Sequence, residues 1–542
     1  MNKTSLFLIL FFILLFSCTD YNQQQGKSVF RYNEAANITT LDPAFAKDQT
    51  VIWAVNQLFN GLIQLDDRME ILPAIAKSWN ISASGVEYVF HLRSDVFFHD
   101  DPSFAKGIGR RVVADDFVFS FQRIIDPKVA SPGSWLFNNI SRSKEIAPFE
   151  ALDDTTLIIH LEQPFPPFLR LLSMQYCSVI PKEAIRFYGN DFRRNPVGTG
   201  PFRFKMWQEG VKLVLLKNPD YFEFENGHRL PFLDAVAITF VPDKQSAFLE
   251  FVKGNLDLMS GIDPTYKDEL LTKEGKLQPK YSSRIELITQ SYLNTEYLGF
   301  MVDPASHAMQ ESIPAKEIRK AINLAFDRKK MIRYLRNNIG FPGCQGITPN
   351  GLPSFDSNLI FYDYNPGKAK QLLASIGYPE GRGLPAITLT STSDYLDICK
   401  YIQHQVSSVG IDLKIEIAPA AAVKEMKSEA KLPFFRASWI ADYPDAENYL
   451  SLFYSKNFCP RGPNYTHFSN PEFDRLYETA MSTVNDSIRF SYYREMEKIM
   501  MEEAPVVILY YDQVLRFVQK NVHGVGSNAM NLLTLKRVRK SA

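Results

Sequence analysis

The chain has 542 residues, too many for one compact core, so two or three domains are expected. An apolar fraction of 45%, with 41 Phe and 25 Tyr, excludes a disordered chain. Sixty basic residues balance sixty acidic ones, and no Lys/Arg stripe stands out, which argues against a nucleic-acid partner.

The first segment reads as a secretory signal over residues 1–17. Lys3 supplies the positive start, Leu6 to Phe16 form an apolar run, and small Ser17 precedes Cys18. The run is shorter than the roughly 20 residues that span a bilayer, and no second long apolar run follows. Leu15-Phe16-Ser17-Cys18 resembles the bacterial lipobox, which implies cleavage before Cys18, lipid on that residue and a polar tether over residues 18–28.

Alternating apolar residues then mark strands at Val86–Leu92, Leu157–Leu161, Leu213–Leu215, Val236–Phe240 and Leu413–Ile417. Helical spacing predicts one helix over Ile318–Leu335, carrying Ile318, Ala321, Ile322, Ala325, Phe326 and Ile332 on its apolar face. Asn365-Pro366 opens another helix with Gly377 as its stop, and two more fill Glu472–Met501. Strands and helices interleave without a repeat period, so an α/β or α+β protein is expected, with a cleft where the chain passes between lobes.

Motifs for hydrolysis, nucleotide or metal chemistry are missing: there is no G-x-S-x-G, P-loop, H-E-x-x-H or EF-hand loop. Gly198-Thr199-Gly200 has the look of a dinucleotide-binding turn, but Pro201 follows and Phe202–Trp207 reads as extended. His91 and His160 fall within strands. The pairs Asp66-Asp67, Asp100-Asp101 and Asp115-Asp116 sit at turns and helix starts, where Asp satisfies free backbone donors. Cys177, Cys344, Cys399 and Cys459 have no metal-binding spacing, and their pairing is left open by three possible connectivities.

The segment Arg436-Ala437-Ser438-Trp439-Ile440-Ala441-Asp442-Tyr443-Pro444-Asp445 reads as a strand running into a turn. A base, an aromatic ring and an acid lie together at its end, where they could grip a zwitterionic ligand in a cleft. A core Trp439, a turn-capping Asp442 and a solvated Arg436 fit these residues equally well.

This segment resembles the W-x-A-D-Y-x-D-P strand of the oligopeptide- and dipeptide-binding proteins, family 5 of the extracellular solute-binding proteins. Further segments are similar in the same order: Thr40-Leu41-Asp42-Pro43, Asn60-Gly61-Leu62, Pro73–Trp79, Tyr88–Val96, Ala114–Ser120, Pro196–Phe202, Asn218–Phe222 and Ile318–Ile322. The resemblance implies an α/β, two-lobed periplasmic-binding fold of type II with an extra subdomain inserted in lobe one. Lobe one would comprise 29–48, 190–287 and 504–542, the insertion 49–189 and lobe two 288–503.

It also implies a monomeric lipoprotein that catalyses nothing and needs no cofactor or metal. Such a protein captures short peptides between its lobes and delivers them to an ABC permease with its ATPase subunits. Asp442 would pair with the ligand's α-ammonium, Ser438, Trp439 and Ile440 would run alongside, and Asn37-Ile38-Thr39 would form the opposing strand. Arg436 and Lys427 would take the C-terminal carboxylate. Ala420, Leu396 and Ala446 depart from the family pattern, which leaves substrate length and side-chain preference open. Relatives that carry oligosaccharides, nickel complexes or haem provide a rival reading, and a secreted peptidase a remoter one.

Overall fold

A computed structural model describes residues 26–263, 265–305 and 315–541. The signal segment and Cys18 lie outside the described residues. Strand β1 (Val29–Asn33) enters the main sheet, and helix α1 (Gln49–Leu58) follows. Four strands, β2 (Ala76–Ile81), β3 (Glu87–Leu92), β4 (Phe149–Asp153) and β5 (Thr156–His160), form a separate sheet in the order β2-β3-β5-β4. In β3 the alternation predicted from sequence places Tyr88, Phe90 and Leu92 in the core.

The chain returns to the main sheet with β6 (Phe202–Gln208), β7 (Lys212–Lys217), β8 (Ala235–Thr239) and β9 (Leu258–Ser260). Next come β10 (Ile285–Phe300), β11 (Ile387–Ser391), β12 (Leu413–Ile417), β13 (Phe434–Ile440) and β14 (Val506–Gln519). Their order is β12-β11-β13-β10-β14-β9-β1-β8-β7-β6, and Phe341–Pro342 adds an eleventh short strand against β14. Central β8, paired in parallel with β1, reads Ala-Val-Ala-Ile-Thr because both its faces are covered.

The sheet is shared by two lobes with separate cores. One core gathers Phe30, Trp53, Phe90, Phe117, Val236 and Leu533, another gathers Tyr297, Ile322, Phe434, Phe453, Tyr493 and Ile508, and a smaller third cluster holds Phe248, Phe251, Leu270 and Phe517. The long strands β10 and β14 run through both lobes. Their antiparallel ladder holds register from Ile285 to Ser291, skips, resumes at Thr295 and shifts once more between Glu296 and Tyr297. The C-terminal tail is clamped back onto lobe one, with Trp53 Nε1 donating to Asn531 O at 2.8 Å and Gln57 Nε2 donating to Leu533 O at 2.7 Å.

The single helix expected over Ile318–Leu335 is two helices, α2 (Lys316–Ala325) and α3 (Arg328–Leu335). Phe326 is extended and fully buried, and the Asp327 carboxylate accepts from Lys330 N at 3.0 Å, capping α3. The paired acids behave as caps: Asp66 accepts from Arg68 N and Glu70 N, Asp101 from Ser103 N, and Asp116 from Val113 N. Gly198 and Gly200 press against the end of α1, where an added Cβ would come within 2.1 Å of Leu58 O and 2.4 Å of Leu58 C respectively. That close approach accounts for the glycines without a nucleotide. The four described cysteines are buried, unpaired thiols. No helix among the described residues is long and apolar enough to cross a membrane.

Candidate functional site

Strand β13 pairs antiparallel with β10, matching Ser438 to Glu296, Trp439 to Thr295 and Ile440 to Asn294. Phe434, Phe435 and Ala437 are buried and hold the strand in lobe two, while Ile440 is 51% exposed at its end. The chain then turns. Asn448, on the first turn after the segment, accepts from Trp439 Nε1 at 2.8 Å and from Asp442 N at 3.2 Å. One amide oxygen therefore fixes both the indole and the backbone of the acid.

The Asp442 carboxylate faces solvent and has no ion-pair partner among the described residues. Protein crowding around it raises its pKa above the usual carboxylate range, and the Asn448 amide works against this rise. Its charge is felt on the insertion: burial first, then Asp442, pushes the Tyr176 hydroxyl up to about 12. Asp442 thus lies within electrostatic reach of Tyr176.

Asp445, three residues on, has a different task. It is buried, accepts from Arg489 Nη2 at 3.2 Å and Tyr493 OH at 3.0 Å, and lies 3.7 Å from Arg170 Nε of the insertion. Asp445 Oδ1 also accepts from Glu447 N, so the segment after Asp442 is anchored at both ends.

Arg436 is engaged. It forms an ion pair with buried Glu296, and its guanidinium lies over the Tyr395 ring, 3.2 Å from the centroid. Burial raises the Glu296 pKa and Arg436 counteracts that. Next to this pair, Arg336 Nη2 donates to Asp512 Oδ1 at 2.6 Å and stacks over Tyr510. Asn294 Nδ2 links the two carboxylates. These members were missed from sequence; the one signal available was Glu296 itself, an acid inside the apolar run Tyr292–Phe300.

Lys427, on the helix Ala420–Ser428, is half-buried with its ammonium 4.5 Å from the centre of the Tyr465 ring. No hydrogen bond or ion pair reaches that ammonium among the described residues. Burial, then the positive charges of Arg436 and Lys424, lowers its pKa to about 8.

On the lobe-one wall, Asn37-Ile38-Thr39 lies beyond the end of β1, outside any strand. Ile38 is buried, Asn37 and Thr39 are exposed, and Thr39 O accepts from Arg193 at 3.3 Å. Within the neighbouring Thr40–Pro43 segment, Asp42 accepts two bonds from the Arg123 guanidinium and caps Ala44 N. The cavities on this wall are instead lined by Glu34, Gln49, Trp53 and Ser260, and one of about 360 Å³ continues past Gln49 and Ser260 to Tyr292, Arg336 and Asp512. Burial raises the Glu34 pKa to about 7. A larger cavity of about 720 Å³ opens beside Trp439 and Asp442, lined by residues from the 135–171 and the 439–482 stretches of the chain.

No cluster of three or more His, Cys, Asp or Glu suited to a metal ion occurs among the described residues. The arrangement is that of a binding cleft between two lobes. The family model for bacterial extracellular solute-binding proteins, family 5 Middle, matches residues 70–458. The chain belongs to this family. Family 5 members are solute-binding proteins of ABC importers, and the two-lobed fold expected from sequence is the one observed.

Among family 5 relatives, the chain is 29% identical to heme-binding protein A of Haemophilus influenzae, over 89% of this chain and 87% of that one. It is 24% identical to the dipeptide-binding protein DppE of Bacillus subtilis, over 95% and 93%. Of solved structures, the ABC transporter-associated periplasmic binding protein DppA from Helicobacter pylori, in complex with peptide STSA, superposes with a TM-score of 0.74 at 26% identity. That match covers 96% of this chain and 99% of the other.

Proposed function

We propose that this family 5 protein captures short peptides in the cleft between its lobes and hands them to an ABC permease, without catalysing a reaction. The observation that carries the reading is Asp442: a carboxylate pinned by Asn448, facing the cleft, with no cation of its own among the described residues. A peptide α-ammonium supplies the missing charge. A charge-assisted hydrogen bond of this kind contributes about 1.5–3 kcal/mol. Ser438, Trp439 and Ile440 continue along the ligand, and Lys427 takes the terminal carboxylate, with Arg436 held close by through Glu296. The five residues from Arg436 to Ile440 span about 13 Å, which suits an extended peptide of three or four residues.

The dipeptide and STSA ligands named for two relatives agree with this reading. The segment 1–17 is read as a cleaved signal, and Cys18 as the lipidated residue that tethers a monomer to a membrane on the exported side. Haem, named for the Haemophilus influenzae relative, is the competing ligand.

The test is calorimetry on the anchor-free protein with a di- to pentapeptide pool, followed by the best binder and its N-acetylated form. Acetylation or Asp442→Ala is expected to weaken binding by about 2 kcal/mol or more. Haem binding seen as a Soret shift, with no heat from any peptide, overturns the peptide assignment.

A further inference from the structure

The cavity of about 720 Å³ beside Asp442 has a distinct chemistry. Its walls carry the rings of Trp135 and Phe165 from one stretch of the chain and of Trp439, Tyr443, Tyr454 and Tyr477 from the other. Three carboxyl groups, Asp442, Glu447 and Glu478, line it together with side-chain amides, and none of the lining residues is basic. Glu478 is neutralised at the rim by Lys456, whose Nζ lies 2.7 Å from Oε1. Asp442 and Glu447 have no basic group within ion-pair distance among the described residues. Glu447 is buried and accepts from the hydroxyls of Tyr443 and Tyr477.

We propose that this cavity is the subsite for the side chain of the ligand's first residue, and that it selects a basic side chain, lysine or arginine. The inference rests on the Asp442 reading, because the first side chain branches one atom from the ammonium nitrogen and so begins inside this cavity. From there it runs past the lining rings, Trp439 and the Trp135–Tyr443 pair whose centroids lie 6.2 Å apart, toward Glu447. A cation against aromatic faces gains from their negative quadrupoles, and more so where water is displaced. The carboxyl at the end supplies a charge-assisted partner. Burial holds the Glu447 pKa up at about 7, so the pocket carries an acid that an incoming cation ionises. An acidic first residue meets the Asp442 carboxylate with like charge and keeps Glu447 protonated.

The test compares Lys-Ala-Ala, Arg-Ala-Ala, Ala-Ala-Ala and Glu-Ala-Ala by calorimetry at neutral pH, on the wild type and two variants. Lysine and arginine are expected to bind about tenfold more tightly than alanine, with glutamate weakest. Glu447→Gln is expected to bring lysine close to alanine. Since Glu447 also holds two tyrosines, Trp135→Ala is the second variant, with the same loss of preference expected. If all four peptides bind within about threefold of one another while N-acetylation still abolishes binding, the subsite is overturned and the Asp442 reading stands. If none binds, both fall.

Discussion

Arg436 on β13 and Glu296 on β10 form an ion pair inside lobe two, and Glu296 is the more deeply buried of the two. Removing the acid leaves a guanidinium with its partner gone in a largely dry site. Glu296→Ala is therefore expected to cost about 3–5 kcal/mol in urea unfolding of the ligand-free protein, and the double change with Arg436→Met about half of that or less. Equal losses in single and double variants contradict the pairing.

Lys427 gives the cleft a pH signature. The unfolded chain keeps this proton to about 10.5 while the folded protein releases it near 8, so stability rises with pH across that window. A carboxylate docked on Lys427 restores the proton. At pH 8.5, peptide binding measured in buffers of different ionisation enthalpy is expected to show net proton uptake. Lys427→Met is expected to lower the uptake, as is C-terminal amidation of the peptide, and the remainder belongs to the peptide's α-amine, which titrates near 8 and binds protonated. Unchanged uptake in both places the ligand carboxylate elsewhere.

Glu34 acts in the opposite sense. Its pKa is raised from 4.5 to about 7, so between those values the folded protein holds a proton that the unfolded chain has lost, and stability falls as pH rises. Glu34→Gln removes this contribution and is expected to gain up to about 3 kcal/mol on wild type between pH 5 and pH 7.5. Parallel pH profiles for the two proteins would count against it.

The break between α2 and α3 depends on Asp327 as cap. Asp327→Ala is expected to cost about 1 kcal/mol by urea unfolding, and Asp327→Asn only a fraction of that, since asparagine caps equally well.

Local signals carried much of this molecule. The periods of β3, β5 and β8 were visible because each strand has one or both faces in a core. The cap at Asn365 announced its helix. The Trp439–Asp442 segment announced a strand end for the same reason. The split at Phe326 was hidden because a buried phenylalanine continues the helical spacing; only the Asp-x-x-Lys step after it marks the cap. The Glu296–Arg436–Tyr395 cluster and the Arg336–Asp512 pair were illegible, since their members come from separate strands, helices and loops whose meeting depends on tertiary packing. The same holds for the cavity that Trp135 and Phe165 help to line.

The skipped register between Ser291 and Thr295 gives the protein its mechanics. Because β10 and β14 are continuous through both lobes, parting the lobes means twisting a two-stranded ribbon, and the skip is where twist breaks the fewest ladder bonds. The ribbon is thereby expected to yield under twist at this skip and at the shift beside Glu296 before its regular stretches do. The work of opening is then set by the backbone of a few residues, whichever solute the cleft holds.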